Sequence, residues 1–239
     1  MRLDKFFTTV GLLSRREVAI AVRRGQITVN GAVARTADMK VDPDTDAVTL
    51  AGEAVIYRAF VYLWLNKPEG YVSATEDGRY PVVTELLPPK YHRLSLFPCG
   101  RLDRDTVGLM LLTNDGALSH ALLSPRRGVE KVYRFKTAAP LPPEAEERLL
   151  AGMELSDFVC KPARLLADAD RMGGSVSLTE GKYHEVKRMM AALGAPLTHL
   201  ERCAFAGISL DPTLARGTVR EVSPEELAVL RAAAEKTRE

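Results

Sequence analysis

Two arginines and two aspartates crowd the segment Gly100-Arg101-Leu102-Asp103-Arg104-Asp105-Thr106, just ahead of an apolar run. Carboxylates held beside basic groups suit nucleophilic or acid–base work, and loops next to buried strands hold such groups rigidly. A solvated turn with local ion pairs fits the same residues equally well. Asp103 and Asp105 are also a conceivable metal pair. However, His92, His120, His184 and His199 are scattered along the chain and no third acidic ligand is close, so no metal site is expected. A two-carboxylate glycosidase needs a second acid that nothing identifies. Cys99 has no histidine partner in view and reads as a small buried residue.

Two further clusters are basic. In Glu130-Lys131-Val132-Tyr133-Arg134-Phe135-Lys136, preceded by Pro125-Arg126-Arg127, cations alternate with aromatics, a pattern suited to phosphate contact and base stacking. An edge strand with one core tyrosine would look the same. In Glu180-Gly181-Lys182-Tyr183-His184-Glu185-Val186-Lys187-Arg188-Met189-Met190, Lys187 and Arg188 lie off the apolar arc of a helix, as on many solvated helix faces.

The elements that must position these groups follow from periodicity and stop signals. Strands are expected at Phe60–Leu65, Gly108–Thr113, Val132–Thr137, Ser175–Thr179 and Leu197–Phe205. Helices are expected at Gly116–Leu123, Pro143–Ala151, Tyr183–Leu193 and, behind Ser223 as N-cap, Pro224–Ala234. Their irregular order excludes a doubly wound sheet and predicts a mixed α+β domain with a mainly antiparallel sheet over residues 60–235. Ahead of it, Leu3–Val10 has helical spacing. Ser14-x-x-Glu17 is a capping box, Gly25 a helix stop, and Asn30-Gly31 a hairpin turn between Ile27–Val29 and Ala32–Val33. Residues 1–58 therefore read as a small module of two helices and a hairpin.

Composition narrows the setting. The chain has 239 residues, 46% hydrophobic and 27% charged, with 33 basic and 31 acidic side chains for a net charge of +2. That is too apolar and too balanced for a disordered chain. No uncharged apolar stretch approaches the roughly 20 residues of a membrane helix, and the N-terminus lacks the apolar segment of a secretory signal. Three cysteines without knuckle spacing argue against a disulfide framework or a zinc site, so a reduced, cytoplasmic setting is expected. The near-neutral total hides an asymmetry. Residues 1–37 hold seven basic against two acidic side chains, a net of +5, and residues 38–60 hold two against five, a net of −3. A small module with one positive face is expected.

The Gly-Arg-Leu-Asp loop with Thr106, Gly108 and Leu111-Leu112-Thr113-Asn114-Asp115-Gly116 resembles the catalytic signature of the pseudouridine synthases, in particular their RsuA-type branch. Asn66-Lys67-Pro68-x-Gly70, Glu130-Lys131-x-Tyr133 and Glu180-Gly181-Lys182-Tyr183-His184-x-Val186-Lys187-Arg188-Met189 match that branch in the same order. The N-terminal module resembles its ribosomal-protein-S-four-like RNA-binding domain. The resemblance spans nearly the whole chain, and its small-subunit rRNA members are the nearest in pattern. It implies an enzyme that isomerises a uridine of ribosomal RNA, most simply the 16S RNA, to pseudouridine; large-subunit RNA is the alternative. Asp103 corresponds to the nucleophile, Arg101 to the arginine that holds the flipped nucleotide, and Tyr133 to the tyrosine stacked on the base. Lys187 falls where many relatives carry an arginine paired with the aspartate, a change that removes any two-pronged grip on Asp103. Leu200 or Ile208 corresponds to the apolar residue of the last motif. Phosphate contacts are expected from Arg15, Arg16, Arg23 and Arg24, with Lys131 and Arg188 as further RNA-binding residues. No cofactor is implied, because the reaction exchanges one bond to the sugar for another without loss of atoms. The expected partner is ribosomal RNA, bare or in a subunit assembly particle, and the expected state is a monomer away from membranes. A non-catalytic ribosome-assembly protein would not need the intact Gly-Arg-Leu-Asp and Lys-x-Tyr motifs. An RNA methyltransferase would need a glycine-rich donor loop that is not present.

Overall fold

The computed structural model describes residues 1–235. The chain divides into two compact units, Met1–Val61 together with Leu87–Leu96, and Tyr62–Leu86 together with the chain from Phe97 onward.

In the first unit, α1 (Leu3–Thr9) and α2 (Arg15–Arg23) pack beside β1 (Ile27–Val29), β2 (Ala32–Val33), β3 (Val48–Leu50) and β4 (Glu53–Ala54). The capping box at Ser14 forms as expected. Glu17 N–H donates to Ser14 Oγ at 3.3 Å, and Ser14 N–H donates to Glu17 Oε2 at 2.6 Å. Asn30 and Gly31 both have positive φ, as a two-residue hairpin turn of this type requires. The sheet is larger than one hairpin. Its order is β2-β1-β3-β4, all antiparallel, and the acidic stretch supplies β3 and β4. These two strands are three and two residues long, too short to show a period among the flanking aspartates. Val18, Ala21 and Val22 are buried, which leaves the arginines of α2 facing water.

The second unit is built on one large sheet. Its strands are β5 (Tyr62–Lys67), β6 (Phe97–Pro98), β7 (Val107–Thr113), β8 (Lys131–Thr137), β9 (Arg164–Ala167), β10 (Gly173–Leu178), β11 (Leu197–Phe205), β12 (Ile208–Ser209) and β13 (Val219–Glu221). The order is β13-β5-β7-β11-β8-β10-β9, with β6 on β7 and β12 on β11. Every pair of neighbours is antiparallel except β7 and β11, which run parallel. The helices are α3 (Gly116–Leu123), α4 (Ala145–Ala151), α5 (Glu185–Ala192) and α6 (Pro224–Glu235). Mixed α+β architecture with a mainly antiparallel sheet is what the sequence predicts. Phe60 and Val61, expected to open the first strand of this unit, lie outside it, and β5 instead begins at Tyr62 and continues past the expected Leu65 to Lys67.

Two details position the site. All seven residues of β7 are buried, and Gly108 has φ +105° where the strand lies against β11; a Cβ there would sit 2.4 Å from Arg202 O. Only glycine fits both the backbone and the approach. Along β8 burial alternates, so Lys131, Tyr133 and Phe135 face inward while Arg134 and Lys136 face water. Leu109, Leu111, Trp64, Phe205 and Leu230 build one core beneath the sheet. Among the described residues, no helix is long and apolar enough to cross a membrane.

Candidate active site

The loop Gly100–Thr106 has no regular structure of its own, and a buried cation holds it in place. Lys67, at the end of β5, is fully buried and its Nζ donates to the carbonyls of Thr106 (2.7 Å), Asp103 (3.0 Å), Pro68 (3.1 Å) and Arg104 (3.3 Å). Burial pushes this ammonium down to about 8, and the carboxylates of Asp105 and Asp103 oppose that shift. Ser73 adds a second clamp: Oγ donates to Leu102 O at 2.7 Å and accepts from Leu102 N–H at 3.0 Å. The backbone on both sides of Asp103 is thereby fixed before any substrate arrives.

The Asp103 carboxylate lies between two side chains from the far wall. Lys187 Nζ is 2.8 Å from Asp103 Oδ2 and 2.6 Å from Asp105 Oδ1, so one ammonium serves both aspartates. His184 Nε2 is 3.4 Å from Asp103 Oδ1. Burial works against the Lys187 charge, but the hydrogen bonds and charges of Asp103 and Asp105 outweigh it and raise the group. Burial likewise works against the Asp105 charge, and Lys187 reverses it, leaving that carboxyl below its usual range. His184 has φ +51°, a left-handed conformation that costs a non-glycine residue energy and that persists mainly where the surroundings enforce it. For this reason α5 begins at Glu185 rather than at the expected Tyr183. The Tyr183 ring is exposed and stacks on His184, with centroids 3.8 Å apart and planes at 18°.

Asp103 opens on a cavity of about 440 Å³ that also meets Arg101, Tyr133, Lys182, Tyr183 and Arg202. A smaller recess next to Asp103 is closed by Tyr133, Val186 and Leu200. Tyr133 is buried, which pushes its phenol up despite the adjacent Arg202 guanidinium. Arg202, 2% exposed, faces Tyr133 across the β8–β11 pair; its Nε donates to Leu109 O at 2.7 Å while Nη2 has no partner. The chemistry available is a carboxylate with cationic neighbours beside a buried phenol ring, in a cavity wide enough for a nucleobase.

The structure thus brings Arg101, Asp103, Tyr133 and Lys187 together around the smaller recess beside Asp103. Of the two candidates for the last motif, Leu200 lines the recess, whereas Ile208 packs in the core with Trp64 and Phe205. Lys131 is buried, donates to Val129 O at 2.9 Å and reaches the cavity only from within. Its burial, with Arg202 nearby, pushes it down to about 8. Arg188 is bound to Asp157 and Ser156 and lies over the Phe158 ring. Arg15, Arg16, Arg23 and Arg24 belong to the first unit, exposed on α2 and at its end. Sequence reasoning missed the contact of His184 with Asp103, the loop-holding function of Lys67, and Arg202. Lys67 and His184 stand within the family motifs, but spacing alone says nothing about which atoms they touch. Arg202 carries no signal beyond a cation in a strand of mixed polarity.

Residues 61–192 match the model of the RNA pseudouridylate synthase family, and residues 1–46 match the S4 domain. An uncharacterised RNA pseudouridine synthase of Bacillus subtilis, YtzG, is 44% identical, over 96% of this chain and 98% of its own length. The ribosomal small subunit pseudouridine synthases A of Pasteurella multocida and Escherichia coli are 39% and 36% identical, each over 95% of this chain and at least 98% of their own. A crystal structure of a pseudouridylate synthase superposes with a TM-score of 0.67 at 32% identity, covering 96% of this chain and 99% of that one. With a catalytic-domain match over more than half its length and near-full-length relatives of this kind, the chain belongs to the RNA pseudouridine synthase family.

Proposed function

We propose that this enzyme isomerises one uridine of small-subunit ribosomal RNA, with the Asp103 carboxylate as nucleophile. The observation that carries the reading is the position of Asp103, held between Lys187 and His184 at the mouth of a cavity lined by Tyr133. The names of the Pasteurella and Escherichia relatives support the choice of RNA. The target base must leave its stack to reach a carboxylate in such a cavity. Arg101, at the rim, holds the flipped nucleotide. Asp103 then attacks the sugar carbon or the ring while the N–C bond to ribose breaks. The detached base stays against Tyr133, rotates, and rejoins ribose through a ring carbon; the proton on that carbon is lost and one is gained at the ring nitrogen freed from ribose, so the atoms balance. The Lys187 ammonium, 2.8 Å from Asp103 Oδ2, holds that carboxylate in place at the cavity. Residues 1–58 form the RNA-binding part and 60–235 the catalytic part, acting as a monomer in the cytoplasm on rRNA or an assembly particle. In the first, Arg15, Arg16, Arg23 and Arg24 meet phosphates and add affinity without reading sequence.

The test is a pseudouridine map of ribosomal RNA from cells lacking this protein. One small-subunit site should disappear and return with the wild-type chain. It should not return with Asp103→Asn, which keeps the shape and removes the charge, and whose purified form should lose about 10⁴-fold or more in single-turnover rate. A missing site in large-subunit RNA would redirect the substrate assignment. Substantial turnover by Asp103→Asn would remove the nucleophile.

A further inference from the structure

The turn Gly181–His184 forms one wall of the cavity, and two buried glutamates close it. Glu180 is 8% exposed and Glu185 is 4% exposed. Glu180 Oε1 accepts from Lys161 N–H at 2.5 Å, and Lys182 Nζ stands 3.7 Å from Glu180 Oε2. Glu185 Oε2 accepts from Lys182 N–H at 2.9 Å, which ties the first residue of α5 back across the turn. Glu185 Oε1 is buried and has no partner, and the charge of Glu180 works against ionisation of Glu185. Two ionised carboxylates in this place would set acceptor against acceptor in a dry site, a costly arrangement.

The surrounding groups relieve it only in part. On β8, Lys131 is spent on Val129 O and faces Arg202, and Tyr133 is a buried phenol. From the segment before β9, Lys161 Nζ reaches Pro125 O, and the Cys160 thiol is held neutral, pushed up to about 11 by burial and then by the two glutamates. On the turn itself, Lys182 Nζ also donates to Val159 O. On α5, Arg188 is committed to Asp157. A single proton resolves the clash, because a protonated Glu185 has an O–H to donate where now an oxygen lacks a partner.

We propose that Glu180 and Glu185 share one proton, and that this proton holds the Gly181–His184 turn in the shape that sets His184 and Lys187 against Asp103. The role is one of positioning, and its catalytic part rests on the functional reading given above. Two features are in keeping with this. Burial, followed by contact with Glu180, pushes Glu185 up to about 7, while the net effect on Glu180 is downward, as in a pair that keeps one proton. The strained φ of His184 also lies between this pair and Asp103, so a turn loosened by repulsion would relax first at the residue touching the carboxylate. Loss of the proton therefore weakens the site from its alkaline side.

The test uses the full chain labelled with ¹³C at glutamate side-chain carboxyls and ¹⁵N at backbone amides. In the wild type, one glutamate carboxyl should titrate near neutral pH, far above the others, and the amides of Gly181–His184 should shift with the same midpoint. Glu185→Gln puts an amide N–H where the shared proton stands, so it should fold, lose that titration and keep the turn amides fixed. Glu180→Gln, with the donor on the other side, should behave alike and guards against a folding defect in the first variant. On transcribed small-subunit rRNA, the single-turnover rate of Glu185→Gln relative to wild type should rise roughly threefold or more between pH 6 and pH 8. The proposal is overturned if no glutamate titrates above pH 6, or if the turn amides ignore that titration, or if the rate ratio stays flat. A chain that shows the titration and the coupled amides yet makes no pseudouridine would contradict the functional reading alone.

Discussion

Helix α2 of the first unit and the loop around Asp103 in the second both carry several cations, and use them in opposite ways. Arg15, Arg16, Arg23 and Arg24 stand in water, and among the described residues none of the four is in an ion pair. Lys67, Lys131 and Arg202 are at most 8% exposed and are held by backbone carbonyls, and the half-buried Lys187 is shared by two carboxylates. Exposed charges act over the Debye length of about 8 Å at physiological salt and are screened as salt rises; buried ones act at contact, are barely screened and are costly to strand. Net charge, the property most easily read from sequence, counts both kinds alike and does not tell one from the other. The site owes its geometry to cations that hardly alter the surface charge.

Lys67 gives this contrast its largest expected effect. Lys67→Met keeps most of the stem and removes the ammonium, which leaves the carbonyls of Asp103 and Thr106 without their buried donor. Breaking a buried charged network of this kind costs about 3–5 kcal/mol, and the denaturant midpoint should fall accordingly with an unchanged slope. Since the loop itself is released, turnover should fall even where the chain is still folded. A loss below about 1 kcal/mol would place Lys67 with the exposed cations and erase the distinction.

Lys187 comes next, and its effect should appear in rate rather than stability. Lys187→Met leaves Asp103 and Asp105 facing each other with no ammonium between them. The single-turnover rate should fall by about 10²–10³-fold with RNA saturating, as when one preorganised charged partner is removed from an active site. Lys187→Arg keeps the charge and should cost less than about tenfold. Equal losses from both variants would mean that the shape of lysine, rather than its charge, serves the site.

Legibility in the sequence followed the same divide. Helix α3 and strand β11 have the expected bounds because their periodic residues meet clear stop signals. The capping box at Ser14 and the turn at Asn30-Gly31 were readable because their partners lie three and one residues apart. The strands β6, β9, β12 and β13 were not, since runs of two to four residues acquire their conformation from neighbours distant in the chain. Within the site, spacing located Asp103, Tyr133 and Lys187 through family resemblance. That Lys187 serves two aspartates, that His184 reaches Asp103, and that Lys67 holds four carbonyls are facts of tertiary distance with no local signature.

The smallest effect belongs to the exposed arginines and sharpens the comparison from the other side. Replacing Arg15, Arg16, Arg23 and Arg24 by alanine removes four exposed guanidinium groups from α2 and its end, none of which is part of the buried core. Folding stability should change little, because solvated side chains on the polar face of a helix contribute within a few tenths of a kcal/mol each. RNA affinity should weaken uniformly across sequences. The slope of log affinity against log salt should shrink by about 0.7–0.9 for each phosphate that is no longer neutralised, since fewer counterions are released on binding. The single-turnover rate at saturating RNA should remain near that of the wild type, because no charge around Asp103 has been touched. The decisive measurement is the pair of numbers together. A smaller salt slope with an unchanged saturated rate assigns these arginines to long-range attraction. An unchanged slope would move the phosphate contacts to other side chains, and a large fall in the saturated rate would show that α2 also orients the RNA for the chemistry at Asp103.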